Sequence, residues 1–143
     1  MGRNKLFLDS DVILDVFATS REPFYAHSAM VLSLAEANEI IACTSPLTFA
    51  NIQYILRKHK SKSYALQSLQ KLRLLIKVTV ISESHIDQAL NSTFTDFEDA
   101  IQYYSALSED VNFIVTRNKK DYKQSTISVC SAEEYLAIHT ATK

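Results

Sequence analysis

The sequence predicts an α/β domain, in which a mostly parallel sheet of four to five strands carries helices on both faces. Two observations indicate this class: short apolar or β-branched runs alternate with helical patterns, and no tight hairpin signal joins neighbouring runs. No repeat, low-complexity tract or Pro/Gly/Ser-rich linker interrupts the 143 residues. We therefore expect a single domain over residues 1–143.

Five runs have the length and composition of strands. The first run, KLFLD, passes directly into a helical pattern, and the runs IIACT, KVTVI and NFIVT recur between later helical patterns. The last run follows a polar loop at 117–125 and is the weakest of the five. The predicted strands are Lys5–Asp9, Ile40–Thr44, Lys77–Ile81, Asn112–Thr116 and Thr126–Val129.

Seven segments show helical spacing or helix-start signals. Ser45-Pro46 supplies an N-cap and a proline in the first turn, and Ser131 with Glu134 makes a capping box. The predicted helices are Asp11–Ala18, Phe24–Ala37, a helix from Pro46 to the basic stretch Arg57–Lys62, Ser63–Ile76, Glu83–Leu90, Asp96–Ser108, and a last helix from Ser131 to about Ile138.

Apolar spacing also predicts which side chains of these helices face the core. For the helix that begins at Pro46, the inward residues are Leu47, Ala50, Tyr54 and Ile55. For the other three long helices, they are Met30, Val31, Leu34, Ala35, Ala65, Leu69, Leu72, Ile76, Phe97, Ala100, Ile101, Tyr104 and Leu107.

Composition excludes several classes of protein. The 15 Lys and Arg against 16 Asp and Glu give a formal net charge of −1, which argues against a histone-like polycation. The single glycine, Gly2, excludes a P-loop, a GxGxxG fold and a GxSxG elbow, which need interior glycines. The two cysteines form no disulfide framework and no CxxC motif. No apolar run reaches the ~18 residues of a membrane span, so we expect a cytoplasmic protein without a membrane segment.

Acidic and amide side chains lie where α/β sheets bind ligands, outside the carboxyl ends of the strands. Asp9 ends a buried strand, where we expect no capping role for it. Asn51 lies about two turns into its helix among apolar residues, where an amide needs a partner. The whole set comprises Asp9, Asp11, Asn51, Asp96, Glu98, Asp99, Asn118 and Asp121.

Several members of this set also have a structural interpretation. Thr95 and Glu98 fit a capping box, Asp11 fits an N-cap, and the polar residues after the fourth strand fit a turn. Taken together, however, carboxylates crowded at one edge repel each other, and a bound cation is the usual remedy. Oxygen ligands without cysteine or a spaced histidine pair favour Mg²⁺ or Mn²⁺ over zinc.

Four segments of the sequence together resemble the sequence motifs of PIN domains. They are LFLDSDVILDVF, SPLTFANIQYIL, DFEDAIQYYSAL and IVTRNKKDY, and their order and spacing extend the resemblance over nearly the whole chain. The resemblance implies a metal-dependent ribonuclease that hydrolyses RNA phosphodiester bonds and leaves a 5′-phosphate and a 3′-hydroxyl. Many small bacterial members resemble the VapC-type toxins of toxin–antitoxin pairs.

Site residues follow from the same resemblance, position by position. It implies catalytic roles for Asp9, Asp99, Asn118 and Asn51, and Mg²⁺ or Mn²⁺ ligands among Asp9, Asp99, Asp96 and Asp11. Asn51 and Asn118 stand where many members carry carboxylates, so the expected metal site has less negative charge here. Arg117, Lys119 and Lys120 border the acidic set and are expected to bind the RNA backbone.

The resemblance also implies partners for the chain. These are RNA, an antitoxin protein and a second copy in a homodimer, for which Phe24–Ala37 and Ser63–Ile76 are candidate interfaces. Tyr103 and Tyr104 are candidates for base stacking, with core packing as the alternative for Tyr104. The basic run at Arg57–Lys62 is a second candidate RNA surface or a solvated helix end.

Two other interpretations of the sequence stay open. The amides Asn51 and Asn118 are compatible with a PIN fold that has lost efficient catalysis and binds RNA or protein. The segment LFLDSDVIL also resembles the hhhDxDxV opening of haloacid-dehalogenase-type phosphatases, in which Asp9 would be the nucleophile. The later glycine–aspartate metal motif of those phosphatases is absent here, and the chain is short for their fold and cap.

Overall fold

Five short strands form one parallel sheet in the computed structural model, which describes residues 2–18 and 23–142. The strands are β1 (Lys5–Leu8), β2 (Ile41–Thr44), β3 (Lys77–Val78), β4 (Phe113–Val115) and β5 (Ser128–Cys130). Their order is β3-β2-β1-β4-β5, and all four neighbouring pairs are parallel. The predicted α/β class is therefore confirmed, with five strands.

Helices connect the strands, and the capping signals mark where two of them begin. Ser45 caps the third helix through its bond from the Thr48 N–H, and Ser131 with Glu134 forms the expected capping box. Within the described residues, no helix is long and apolar enough to cross a membrane. The helices are α1 (Ser10–Phe17), α2 (Phe24–Glu36), α3 (Pro46–His59), α4 (Lys62–Leu75), α5 (Glu83–Leu90), α6 (Phe97–Ser108) and α7 (Ala132–Ala141), with a 3₁₀ turn at Lys119–Tyr122.

Two helix ends use Asn and Asp where the backbone is left-handed. Asn38 has a φ of 61° after α2, and Asp110 has a φ of 54° after α6. These two residue types tolerate this region better than other residues with a Cβ. The chain therefore closes both turns although its one glycine is at position 2.

The sheet separates the core into parts that lie on its two faces. Leu6 and Leu8 of β1 pack into one cluster with residues of α1, α2, α3, α4 and α7. Phe7 points to the opposite face and packs with Tyr103 of α6 and Tyr122. Because successive strand residues alternate between faces, this arrangement places helices on both sides of the sheet, as predicted.

The buried face of α3 differs from the predicted one. Thr48, Ile52 and Leu56 are buried, whereas Ala50 and Tyr54 are exposed. The cause is a buried polar residue. Thr48 can face the interior because its hydroxyl accepts a hydrogen bond from Gln102 Nε2 at 2.8 Å. A prediction from apolar residues alone therefore assigns the wrong face of α3 to the core.

Similar corrections apply to α2 and α6. Met30, Phe97 and Leu107 are exposed, although their spacing predicted that they would face the core. The positions inside are taken by polar residues that have partners. Ser28 donates to a carboxylate of α1, and Ser105 donates to the Val80 carbonyl oxygen at 2.9 Å. The inward positions of α4 agree with the prediction, with Ala65, Leu72 and Ile76 buried.

The register of α3 predicts a large loss of stability for one substitution and almost none for another that is two residues away. Ile52→Ala removes a fully buried side chain and should lower the free energy of unfolding by about 2–5 kcal/mol. Tyr54→Ala removes an exposed ring and should change it by about 0.5 kcal/mol or less. Urea unfolding followed by circular dichroism measures both. If Tyr54→Ala were as destabilising as Ile52→Ala, the register described here would be wrong.

Candidate functional site

The acidic residues meet at the carboxyl edge of the sheet, where the strand order changes direction. The chain leaves β1 on the side of β2, and it later returns to the other side of β1 as β4. Asp9 follows β1 and Thr116 follows β4, so both lie at this switch point, where open α/β sheets bind ligands. Helix α6 begins at the same edge because it carries the chain back to the start of β4.

Asp9 is held in place by hydrogen bonds to both of its carboxylate oxygens. Oδ1 accepts from the Ser10 N–H at 2.8 Å, and Oδ2 accepts from the Thr116 hydroxyl at 2.9 Å and the Tyr122 hydroxyl at 3.4 Å. Burial and the nearby acidic charges raise the pKa of Tyr122, which keeps its phenol protonated as a donor. Asp9 is also the N-cap of α1, so the expectation that it has no capping role is wrong.

Asp11 lies in the first turn of α1 and is not its N-cap. Its Oδ2 accepts from Asn118 Nδ2 at 2.8 Å and from the Arg117 N–H at 3.2 Å. Because an ionised carboxylate only accepts hydrogen bonds, the amide group of Asn118 must present its nitrogen to Asp11. The other oxygen, Asp11 Oδ1, is buried and has no hydrogen-bond partner among the described residues.

The start of α6 supplies the second group of carboxylates. Asp96 is the N-cap and accepts from the Asp99 N–H at 2.9 Å, so the predicted capping box of Thr95 and Glu98 is wrong. Glu98 instead accepts a hydrogen bond from Asn51 Nδ2 at 2.7 Å. The amide that needed a partner in the sequence therefore has one, and the contact ties α3 to the start of α6.

A cleft of about 120 Å³ opens in front of this second group. Of the three cations expected to bind RNA, Lys120 lines the cleft, and Lys123, which the sequence analysis missed, joins it. The lining residues are Thr95, Asp96, Asp99, Lys120, Asp121, Lys123 and Gln124.

Arg117 and Lys119 are engaged with carboxylates of this chain. Arg117 Nη2 lies 3.1 Å from Oδ1 of Asp15, which is fully buried, and its guanidinium carbon lies 4.3 Å from the centre of the Phe24 ring. Lys119 Nζ lies 3.1 Å from both carboxylate oxygens of Glu134. These two cations are thus neutralised within the domain, and a role for them in RNA binding stays a prediction.

Burial and mutual repulsion disfavour the charged forms of the two central carboxylates. Burial, followed by the charge of Asp11, raises the pKa of Asp9 to about 6. Burial, followed by the charges of Asp96 and Asp121, raises the pKa of Asp99 to about 7. The charge of Asp9 also contributes to the raised pKa of Asp99, so the two carboxylates lie close enough to repel each other.

The donor set fits a hard divalent cation. All candidate ligands are oxygens, and within residues 2–18 and 23–142 no cation neutralises Asp9 or Asp99 and nothing hydrogen-bonds to Asp11 Oδ1. In the described part of the chain, no three Asp, Glu, His or Cys side chains form a group that could hold a metal ion by themselves. Mg²⁺ usually binds through one or two carboxylates and keeps several waters, so two carboxylates are sufficient for it.

The fold and the site together define a class: a small α/β domain with a carboxylate-lined cleft at the edge of a parallel sheet. A family model described as PIN domain matches residues 5–120. The chain belongs to the PIN domain family, which confirms the resemblance found in its sequence motifs.

The similarity to known proteins covers almost the whole chain. Ribonuclease VapC1 of Aquifex aeolicus is 26% identical over 140 residues, which are 94% of this chain and 95% of that protein. The structure of VapBC2 from Rickettsia felis has a TM-score of 0.65 at 16% identity and covers 89% of this chain and 97% of that one. A toxin–antitoxin complex from Klebsiella pneumoniae has a TM-score of 0.66 at 18% identity, with the same two coverages.

Besides Lys123, three polar residues of the site were not predicted from the sequence. Thr116, Tyr122 and Asp15 contact the acidic residues or their cations, yet each reads locally as part of a strand, a loop or a helix. The prediction that Tyr103 stacks on RNA bases is wrong, because its ring is buried and packs against Phe94 with the ring centroids 5.2 Å apart.

The raised pKa values predict how stability depends on pH when EDTA removes divalent cations. From the ordinary value of 3.8 up to about 7, the folded protein holds protons on Asp99 that the unfolded chain has released, so stability falls as pH rises. Asp99→Asn should therefore have a higher Tm than the wild type at pH 8, and the difference should shrink toward pH 4. Thermal unfolding followed by circular dichroism measures this. Asp87→Asn, an exposed change on α5, should run parallel to the wild type at every pH.

Proposed function

We propose that the chain is a metal-dependent endoribonuclease that hydrolyses RNA phosphodiester bonds, and that it is the toxin of a toxin–antitoxin pair. The observation that carries this proposal is the pair of un-neutralised carboxylates, Asp9 and Asp99, at the carboxyl edge of the sheet. Membership in the PIN domain family and similarity to a protein named Ribonuclease VapC1 support it.

Asp9 and Asp99 are the proposed anchoring ligands of Mg²⁺ or Mn²⁺, with Asp96 and Asp11 as further ligands. A bound divalent cation polarises the phosphate and lowers the pKa of an attacking water. The cation also stabilises the ionised forms of both anchoring carboxylates, which burial otherwise disfavours. The hydroxyl of Thr116 fixes the orientation of Asp9, which keeps one carboxylate in a single position.

Asn51 and Asn118 act as positioning residues in this proposal. Each presents its amide nitrogen to a carboxylate, Asn51 to Glu98 and Asn118 to Asp11, and each keeps its amide oxygen for water or a cation. Their contribution is thus to hold acidic neighbours in orientation. This differs from supplying the negative charge that a carboxylate at the same position would bring.

A second candidate function rests on the same two amides. Two positions that carry carboxylates in many members are neutral here, and no three-residue metal group is present among the described residues. Both observations favour a PIN fold that binds RNA or protein with weak or no catalysis. Binding of Mg²⁺ separates the two candidates, because a ligand that binds the folded state raises its Tm.

Cleavage of a mixed pool of structured RNA tests the nuclease directly. We expect cuts by the wild type with Mg²⁺ or Mn²⁺ that disappear in EDTA. Asp9→Asn and Asp99→Asn should each reduce the cleavage rate by about 100-fold or more, because each removes a ligand charge at the reacting phosphate. The matched control Asp87→Asn should cleave like the wild type.

The same proteins decide between the two candidate functions. A rise in Tm with Mg²⁺ that is lost in Asp99→Asn supports the nuclease. Retention of RNA without cleavage, equal in the wild type and both variants and with no effect of Mg²⁺ on Tm, would support the binding module in its place.

Protein partners are the remaining part of the proposal. Helices α2 and α4, which form most of the two segments expected at a dimer interface, Phe24–Ala37 and Ser63–Ile76, pack mainly within the domain. They also border an apolar groove of about 350 Å³ with Phe17 of α1, and Leu74 beside it is 87% exposed. We propose that this groove pairs two copies of the chain and that an antitoxin segment covers the acidic cleft. That a protein of similar fold is solved as a toxin–antitoxin complex supports a protein partner.

A charge placed in the groove tests the proposed pairing. Leu74→Glu should convert a dimer to a monomer in sedimentation velocity, because it buries a carboxylate in an apolar contact. Leu90→Glu changes an equally apolar exposed residue on α5 and should leave the dimer intact. The reverse result, dissociation by Leu90→Glu alone, would move the interface to the α5 side of the domain.

A further inference from the structure

The two most exposed aromatic rings among the described residues both lie beside the candidate site. Tyr54 is 64% exposed and Phe97 is 48% exposed. Phe97 stands between Asp96 and Glu98 at the start of α6. Tyr54 lies one turn beyond Asn51 on α3, and the Asn51 side chain is bonded to Glu98. One hydrogen-bonded pair therefore brings the two ring-bearing helices together at the start of α6, where Asp96 and Asp99 line the cleft.

Neither ring has a structural partner in the described part of the chain. The other exposed aromatic rings include two with a clear internal contact: Phe24 lies under the Arg117 guanidinium, and the Tyr64 hydroxyl donates to the Phe17 carbonyl oxygen. No hydrogen bond or ring contact of that kind engages Tyr54 or Phe97. About half or more of each ring surface is therefore open to a ligand.

A basic end continues the exposed stripe of α3. Arg57 and Lys58 follow Tyr54 by three and four residues, which places them next to it on the helix surface. Both are exposed, and neither pairs with a carboxylate among the described residues. From the cleft outward, the stripe is therefore an amide, an aromatic ring and two unpaired cations.

The charge near the cleft favours additional RNA contacts outside it. Three carboxylates and two lysines, Lys120 and Lys123, line the cleft, so a phosphate there meets repulsion as well as attraction. Arg117 and Lys119 are already paired with other carboxylates. Single-stranded RNA is commonly bound through bases stacked on exposed aromatic rings beside cations that contact the backbone.

We propose that Tyr54 and Phe97 stack unpaired bases of single-stranded RNA that flank the phosphate held at the acidic cleft, and that Arg57 and Lys58 contact the backbone beyond Tyr54. The inference deepens the proposed ribonuclease function and rests on it for the role of the cleft.

Fluorescence of a substituted ring tests the stacking without requiring cleavage. The chain contains no tryptophan, so Tyr54→Trp introduces a single indole reporter. An eight-nucleotide single-stranded RNA, added in EDTA so that it is not cut, should quench the emission. The same RNA should leave Tyr25→Trp, a reporter at an exposed position on α2, unchanged. A fully paired RNA hairpin with a minimal loop should quench Tyr54→Trp much less.

Kinetics and salt dependence give a second, independent readout. Tyr54→Ala and Phe97→Ala should each raise KM for the single-stranded substrate about tenfold while kcat changes little, and Tyr54→Phe should restore the wild-type KM. The double variant Arg57→Gln/Lys58→Gln should reduce the slope of log Kd against log salt by about 1.4, because two phosphate contacts are lost.

The outcomes distinguish this inference from the proposed function. Quenching of Tyr54→Trp by RNA together with absence of cleavage by the wild type would sustain the stacking surface and reject the nuclease. Cleavage with an unchanged KM in both alanine variants would sustain the nuclease and overturn the stacking surface. Loss of a dimer in Tyr54→Ala, measured by sedimentation, would overturn it too, because the ring would then be covered by a second copy.

Discussion

The pairing of β1 with a parallel strand on each side is the constraint on which the site depends. Leu6 pairs with Ala42 of β2 and with Phe113 of β4. The pairing continues past the end of the strand, because the Asp9 N–H donates to the Val115 carbonyl oxygen at 3.0 Å. Asp9 is thereby fixed by the backbone of the sheet itself. Parallel strands share a carboxyl edge, so side chains from distant parts of the sequence meet there.

The fold treats two kinds of carboxylate at this edge differently. Asp15 is fully buried and is neutralised by Arg117 from the same chain, with a further hydrogen bond from Ser28. Asp9 accepts hydroxyl and backbone hydrogen bonds, and among the described residues no cation pairs with Asp9 or Asp99, whose charged forms are disfavoured. Since an isolated buried charge is costly, the first carboxylate is a structural ion pair. A cation from solution would neutralise the other two, Asp9 and Asp99.

Local patterns account for most of the fold and for only part of the site. Neighbouring residues determine the strand runs, the helix caps at Ser45 and Ser131, and the buried apolar face of α4. These features can therefore be predicted from the sequence. The rotation of α3 cannot, because it depends on a bond between Thr48 and Gln102 from a distant helix. The ion pair of Arg117 cannot be predicted from the sequence either. A cation next to acidic residues suggests phosphate binding, but in the fold Arg117 pairs with the buried carboxylate of Asp15.

The near-neutral charge of the chain acquires a physical meaning from this arrangement. A protein that attracts RNA mainly through phosphates needs a surplus of unpaired cations, whereas the formal net charge here is −1. Near the switch point, Arg117 and Lys119 pair with carboxylates, whereas Lys120 and Lys123 line the acidic cleft. On α3, Arg57 and Lys58 follow an exposed aromatic ring. Recognition through base faces suits such a surface, because stacking requires no charge and favours unpaired RNA over duplex. In the proposed ribonuclease, the α3 stripe would supply selectivity, while the edge of the sheet would determine where the RNA is cut.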